Sequence, residues 1–324
     1  MKPTPLLAAC IFFAASTLAA SASAEPGYPA RPITLVIPFP PGGATDVVGR
    51  LVGKTLGETL GQSVVIDNRA GAGTVIGAAY ATKAPADGYT LLISSGTTFT
   101  VNPAIRSKLP YDPLKSFDPI GLIARTGLIL LANKDVPASN PRQYVDMVRA
   151  APGKYAYASF GNGTTAQFAG ELMLRATGTQ MVHVPYKGSA PAMTDLMGGQ
   201  VAFSVDTVSA AIPQLKGGKI KAIAVTTAKR STLLPNVPTF AESGFDIDAD
   251  TWLAIVAPSG LPPAIRAKLE KALADTVASP EVREKLVANG LEPAWQNGAA
   301  VTRLIEKELP LMRATALRAN IQAD

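Results

Sequence analysis

From Arg31 to Val256 the chain keeps returning to one pattern: a short β-branched run, a turn of glycine, proline or hydroxyl residues, then a longer stretch with apolar residues at helical spacing. The first round is Ile33-Thr34-Leu35-Val36-Ile37, a Pro/Gly turn, and then Val47, Val48, Leu51, Val52 and Leu56. That change of period reads as strand, loop, helix. Ser63–Ile66 and Thr90–Ser94 renew the strand signal, with a small-residue helix over Thr74–Thr82 between them. Leu128–Ala132, Tyr155–Ser159, Met181–Val184, Val201–Val205 and Ile220–Val225 carry the series on, and Asn140-Pro141 marks a helix start with a capping residue before proline. Strands separated by helices pair in parallel and are covered on both faces, so an α/β chain with a parallel sheet is expected, and the later strands predict a second sheet. After Trp252–Val256 the pattern changes. Ile265, Leu269, Leu273 and Val277, then Val301, Leu304, Ile305 and Leu309, predict amphipathic helices at the end of the chain.

The 324 residues leave room for two packed cores. With 47% hydrophobic and 17% charged residues, the chain is neither disordered nor a coiled coil. The net charge of +6 comes from basic residues scattered singly, without the run that nucleic acid would demand. One His and one Cys exclude a Cys/His metal site and a disulfide framework. No metal and no cofactor are expected. Lys2, the apolar stretch Leu6–Leu18 and Ala22-Ser23-Ala24 read as a signal peptide cleaved after Ala24, which predicts an exported, periplasmic protein. The apolar stretch is shorter than the roughly 20 residues a membrane span needs. Leu7-Ala8-Ala9-Cys10 has the letters of a lipoprotein box, but cleavage there would leave almost no apolar segment before it. Removing residues 1–24 takes away Cys10, so the mature chain cannot rest on disulfides.

In open α/β sheets, ligands sit beyond the carboxyl ends of strands, where helix N-termini present unpaired N–H groups. Three loops occupy such places. In the first, Phe39, Pro40, Pro41, Gly42 and Gly43 precede Ala44-Thr45-Asp46; the prolines stiffen the exit from the strand and the glycines admit a ligand close to the backbone. Asp46 either joins this anion cradle or caps the helix and pairs with Arg50. The second is Ser94-Ser95-Gly96-Thr97-Thr98, whose hydroxyls either donate to a carboxylate or close a turn. The third is Ser159-Phe160-Gly161-Asn162-Gly163-Thr164-Thr165. Opposed cradles from two sheets would hold an anion in a cleft. Lys187 follows another strand, where it either adds charge to the site or is merely exposed, and Asp206 ends one more strand.

Catalysis finds little support. His183 is the only base for a Ser-His mechanism and lies inside an apolar strand, as a structural histidine does; no G-x-S-x-G elbow is present. Gly71-Ala72-Gly73-Thr74-Val75-Ile76-Gly77 resembles a dinucleotide fingerprint, but its spacing is one residue too long and no acidic residue ends the next strand. A nicotinamide-dependent enzyme is therefore a minor alternative. No Walker lysine follows any glycine loop.

Several ordered motifs carry a resemblance. Tyr28-Pro29-Ala30-Arg31-Pro32-Ile33, Pro38-Phe39-Pro40-Pro41-Gly42-Gly43-Ala44-Thr45-Asp46, Asp67-Asn68-Arg69-Ala70-Gly71-Ala72-Gly73, Ala86-Asp87-Gly88-Tyr89, Asn102-Pro103, Leu109-Pro110-Tyr111-Asp112-Pro113 and Val184-Pro185-Tyr186-Lys187-Gly188 stand in the order of the Bug family. The chain resembles these TctC-like periplasmic solute-binding proteins of tripartite tricarboxylate transporters over almost all of its mature length. The resemblance implies a type II periplasmic-binding-protein fold: two α/β lobes, 25–126 with 254–324 and 127–253, joined by crossing hinge strands. It implies a monomeric receptor that captures a small organic acid, a dicarboxylate or aromatic carboxylate, and delivers it to membrane subunits, without catalysis. A receptor feeding a sensor kinase is the alternative. Carried onto this chain, the site comprises Phe39 to Gly43 and Asp46, Ser94 to Thr97, and Ser159 to Thr165, with Asp206 as a selectivity position. The chain departs from the family pattern at Phe99 and Thr100, where many relatives carry His-Ala, and at Gln167, where many carry His. These departures bear on which acid is taken, and they make Phe99 and Phe160 either cleft-lining or packing residues.

Overall fold

The computed structural model describes residues 27–322; the expected signal peptide and the Cys10 box lie outside them. In chain order the elements are β1 (Ile33–Ile37), α1 (Ala44–Leu60), β2 (Val64–Asn68), α2 (Val75–Thr82), β3 (Thr90–Ser95), α3 (Asn102–Ile105), β4 (Phe117–Asn133), α4 (Pro141–Arg149), β5 (Ala156–Ser159) and α5 (Thr165–Thr177). There follow β6 (Val182–Pro185), α6 (Ser189–Met197), β7 (Phe203–Thr207), α7 (Val208–Lys216), β8 (Ile220–Val225), β9 (Asp250–Pro258), α8 (Pro263–Ala278), α9 (Pro280–Ala288), β10 (Glu292–Asn297) and α10 (Gly298–Ala319). The expected strands are present, most with boundaries shifted by a few residues, but the strand expected at Leu128–Ala132 begins at Phe117 and β10 was not expected.

The 17-residue β4 organises the molecule. Its first part, to Gly127, pairs antiparallel with β9 and β10, and Leu128–Asn133 pairs antiparallel with β7 and β8. One sheet therefore reads β2-β1-β3-β9-β4-β10 and the other β8-β4-β7-β5-β6, continuous through β4. Parallel pairing is confined to β1–β3 and β5–β7, because a strand shared by two lobes must be met by chain running back the other way. The second crossing lies beside the first: Thr226 N–H donates to Leu128 O, and Ala249 N–H donates to Thr226 O. Asp250–Leu253, grouped with the second lobe in the sequence reading, pair with Gly127–Ala124 in the first sheet.

Each lobe buries apolar side chains on both faces of its sheet. In the first, Leu35, Ile37, Val48 and Val52 pack with Leu269 and Leu273 of α8, while Leu92, Phe99, Trp252 and Ile305 fill the other side. The helices after β9 thus return to the lobe where the chain began. In the second lobe, Tyr144, Tyr157 and Phe203 lie on one face and Ile129, Leu131, Leu196 and Val208 on the other. Val101, Ile105, Phe168, Ala316 and Ile321 form a further cluster that joins α3 and α10 to α5 of the other lobe.

Phe99 is a packing residue. It is fully buried, stacked on Trp252 with centroids 5.7 Å apart and edge-on to Phe117. The Trp252 indole N–H donates to Glu308 Oε2 at 2.9 Å, so one side chain ties β9 to α10. Trp252→Ala is expected to cost about 3–5 kcal/mol, read as a lowered midpoint in urea denaturation.

Candidate functional site

The loop after β1 is held by a lock behind it. Asp46 Oδ2 accepts from Gly42 N–H and Arg50 Nε, both at 3.0 Å, while Oδ1 accepts from Asn68 Nδ2 at 3.0 Å; Asn68 Nδ2 also donates to Phe39 O. Burial pushes the Asp46 carboxyl up, but hydrogen bonds from Arg50, Asn68 and Gly42 outweigh it and hold the group below its ordinary range. Asp46 lines neither of the cavities described below; it pairs with Arg50 one turn on and takes Gly42 N–H ahead of the N-cap Gly43, without a side-chain cap on α1. Gly42 needs its lack of a Cβ, since its φ is +93°.

The hydroxyl loop after β3 is largely closed on itself. Ser94 Oγ lies 2.6 Å from Thr98 Oγ1, which donates to Thr74 Oγ1, and Gly96 O accepts from Thr100 Oγ1. Thr97–Val101 form a π-helical turn. Thr97 instead crosses to the other lobe: its Oγ1 accepts from Thr165 N–H at 3.1 Å. In the third loop Gly161 N–H donates to Ser159 Oγ, Thr164 Oγ1 donates to Gly161 O, and Gly163 N–H donates to Gln167 Oε1 at 2.6 Å. Thr164 caps α5. The amides of Gly42, Gly161, Gly163 and Thr165 are thus engaged within the protein. The starts of α1 and α6, after Gly43 and Gly188, have no capping side chain, so no cap takes up their first-turn N–H groups.

Those two helix starts face each other across the lobes. A Cβ on Gly43 would lie 3.7 Å from Ser189 Oγ, one on Gly42 3.8 Å from Ala190 Cβ, and one on Gly188 2.7 Å from Pro40 Cγ. Phe39 and Phe160 meet edge-on at 6.2 Å. Beneath them is a cavity of about 30 Å³, lined by Phe39, Gly43, Thr165, Ser189, Thr207 and Thr251 among others. No lining residue carries a charge. The starts of α1, α5, α6 and α7 all contribute to it, so four helix dipoles present positive ends where no basic side chain does. Thr251 Oγ1 is buried there without a hydrogen-bond partner.

A second cavity of about 630 Å³ lies on the outer side of Phe39 and Pro40, which wall both. Gly161, Asn162 and Lys187 from one lobe, and Gly71–Thr74 and Arg106 from the other, line it. Of the fingerprint-like glycines, Gly73 is a lobe-contact residue: it adopts φ +59° and a Cβ there would overlap the carbonyl oxygen of Asn162, whereas Gly71 and Gly77 pack against Ile76 and Pro38 of their own lobe.

Asp206 stands behind the inner cavity. It is wholly buried, and Oδ1 accepts from Ser189 Oγ at 2.9 Å and Thr207 N–H at 2.7 Å. His183 lies beside Ser159, with Nε2 2.7 Å from its hydroxyl, and stacks on Tyr157 at 4.9 Å. Burial pulls its pKa down to about 4. Among the described residues no group of three His, Cys, Asp or Glu could hold a metal, and no helix is long and apolar enough to cross a membrane.

Of the residues singled out from sequence, Phe39, Pro40, Gly43 and Thr165 line the inner cavity and Gly161 and Asn162 the outer one. Pro41, Gly42, Asp46, Ser94, Gly96, Thr97, Ser159, Gly163, Thr164 and Asp206 line neither. Ser95 of the second loop and Phe160 of the third also line the inner cavity, and Ser189, Thr207 and Thr251 line it without having been singled out. Ser189 and Thr207 had a readable signal, a hydroxyl at a strand-to-helix turn; Thr251 had none, because only the return of β9 beside β4 brings it there.

A family model described as the tripartite tricarboxylate transporter family receptor, TctC, matches residues 48–319. The chain belongs to this receptor family. Protein BugT of Bordetella pertussis is 39% identical to this receptor over 296 residues, covering 90% of each chain. The solved structure of periplasmic binding protein BugD aligns with a TM-score of 0.87 at 34% identity, over 91% of this chain and 99% of that one. An R. palustris protein solved with adipate aligns with a TM-score of 0.88 at 36% identity, over 91% and 99%. The fold of this TctC-family receptor is thus the two-lobed α/β fold of periplasmic binding proteins.

Proposed function

We propose that the protein captures a small organic carboxylate between its lobes and hands it to the membrane subunits of a tripartite tricarboxylate transporter, without chemical turnover. The observation that carries this reading is the uncharged inner cavity on which four helix starts converge from two lobes. Hydroxyls and main-chain amides there suit a carboxylate without an obligatory arginine. A cavity of about 30 Å³ has room for about one water molecule and none for an acid such as adipate, so the lobes part for entry and close around the guest. Gly127 and Ala249, where the two crossings leave one sheet for the other, are the natural hinge. The receptor acts as a monomer in the periplasm after removal of residues 1–24.

A thermal-shift series over organic acids, with adipate, malate and an aromatic acid beside their neutral amides, tests this. At about 100 times Kd the matching acid adds about 2.7 kcal/mol of apparent stability, a rise of several degrees, and its amide adds none. Equal shifts from acid and amide, or none from any acid, would contradict the reading.

A further inference from the structure

Asp206 is one side chain away from the inner cavity, and its two oxygens are treated unequally. Oδ1 receives the Ser189 hydroxyl, the Thr207 amide and, at 3.4 Å, the Thr207 hydroxyl. Oδ2 is buried with no partner. A bare anionic oxygen away from water is costly, whereas a proton on it removes the charge. Ser189 and Thr207 themselves line the cavity, whose wall has no basic residue to offset a second negative charge.

The elements packed on β7 bring no basic side chain to Asp206 either; the starts of α6 and α7 reach only Oδ1, through Ser189 and Thr207. β4 runs past it as Leu128–Ala132, wholly apolar. β5 brings Tyr157, whose hydroxyl donates to Glu171 of α5 at 2.7 Å. On α5 Arg175 is turned to the carbonyl of Arg318, and on α6 Asp195 accepts from Tyr186. Lys216 stands at the far end of α7 from Asp206. Burial therefore governs Asp206 and lifts it to about 7, opposed only by the bonds from Thr207 and Ser189, with no charged neighbour contributing.

We propose that Asp206 keeps a proton while a carboxylate occupies the inner cavity, so that above neutral pH the capture of one acid takes up about one proton. This rests on the carboxylate-receptor reading. The proton comes from solvent and stays on Oδ2; no bond of the acid changes. An ionised Asp206 would repel the guest, so affinity follows the protonated fraction of the free protein.

Calorimetry with adipate and malate as probes, in phosphate and in Tris, tests the proposal on the wild-type protein alone. At about pH 8 the heats in the two buffers are expected to differ by the ionisation heat of about one proton per acid bound, and at about pH 5.5 by little. Affinity is expected to fall by about tenfold per pH unit above neutrality. In Asp206→Asn, which has the same shape and cannot ionise, both the buffer difference and the slope disappear. Binding with equal heats in the two buffers at about pH 8 overturns the inference and leaves the receptor reading standing. So does proton uptake that persists in Asp206→Asn. Failure of adipate, malate and every other acid of the series to bind at either pH overturns both.

Discussion

Replacing Gly73 with alanine is expected to weaken acid binding about 100-fold while leaving the free protein folded. Gly73 sits at the lobe junction with φ +59°, and an added Cβ would overlap the main-chain oxygen of Asn162 in the other lobe. Backbone cannot yield as a flexible side-chain end does, so the lobes must part. Apparent affinity then drops by the lost fraction of closed protein, and ~3 kcal/mol of closing free energy corresponds to about 100-fold. The left-handed backbone also strains alanine locally by about 1–2 kcal/mol. Gly153→Ala separates the two effects: Gly153 has φ +72° and nothing within 4 Å of the added carbon. It should lose similar stability in urea and keep full affinity. Calorimetry on the two variants, with small-angle scattering to register a wider Gly73→Ala molecule, checks the prediction; equal affinity losses would contradict it.

The second large effect concerns stability against pH. Folding raises Asp206 from 3.8 to about 7 because burial disfavours its charge. The folded protein therefore keeps a proton that the unfolded chain releases, and its stability falls as pH rises from about 4 through about 7. The full loss has a ceiling of ~4 kcal/mol, three pH units at ~1.4 kcal/mol each. Asp206→Asn removes that loss but places an amide nitrogen where Oδ2 finds no partner, at a cost of about 1–3 kcal/mol. The variant should be less stable than wild type at about pH 4, where little of the loss has set in, and more stable at about pH 8. Urea midpoints at the two values reveal the crossing; parallel curves would show that Asp206 does not titrate on unfolding.

The strand-helix alternation made the α/β class legible because each strand and its following helix are local events. β1, β3 and β8 could be read almost to the residue. The first half of β4 could not: Pro119, Gly121 and Arg125 interrupt its apolar run, and the strand shifts register against β9 at Pro119/Gly121 and again at Leu122/Ala124. β10, Glu-Pro-Ala-Trp-Gln-Asn, has no alternation and owes its pairing to the β4 edge. The same long-range pairings decide the site. Loops at strand ends marked the neighbourhood of the inner cavity, which Phe39, Gly43 and Thr165 line. Which amides remain available was not legible, because Gly163 is satisfied by Gln167 and Gly42 by Asp46 through side-chain bonds that no spacing announces.

The central claim is that a carboxylate is held where the starts of α1 and α6 face each other. A crystal structure with the acid that gives the largest thermal shift tests it most directly. The account predicts carboxylate oxygens within hydrogen-bond reach of the amides following Gly43 and Gly188 and of the Ser189 or Thr207 hydroxyl, with Phe39 and Phe160 closed over the guest. An acid seated outside the cleft, or held there chiefly by Arg106 and Lys187 in the outer cavity, would contradict it.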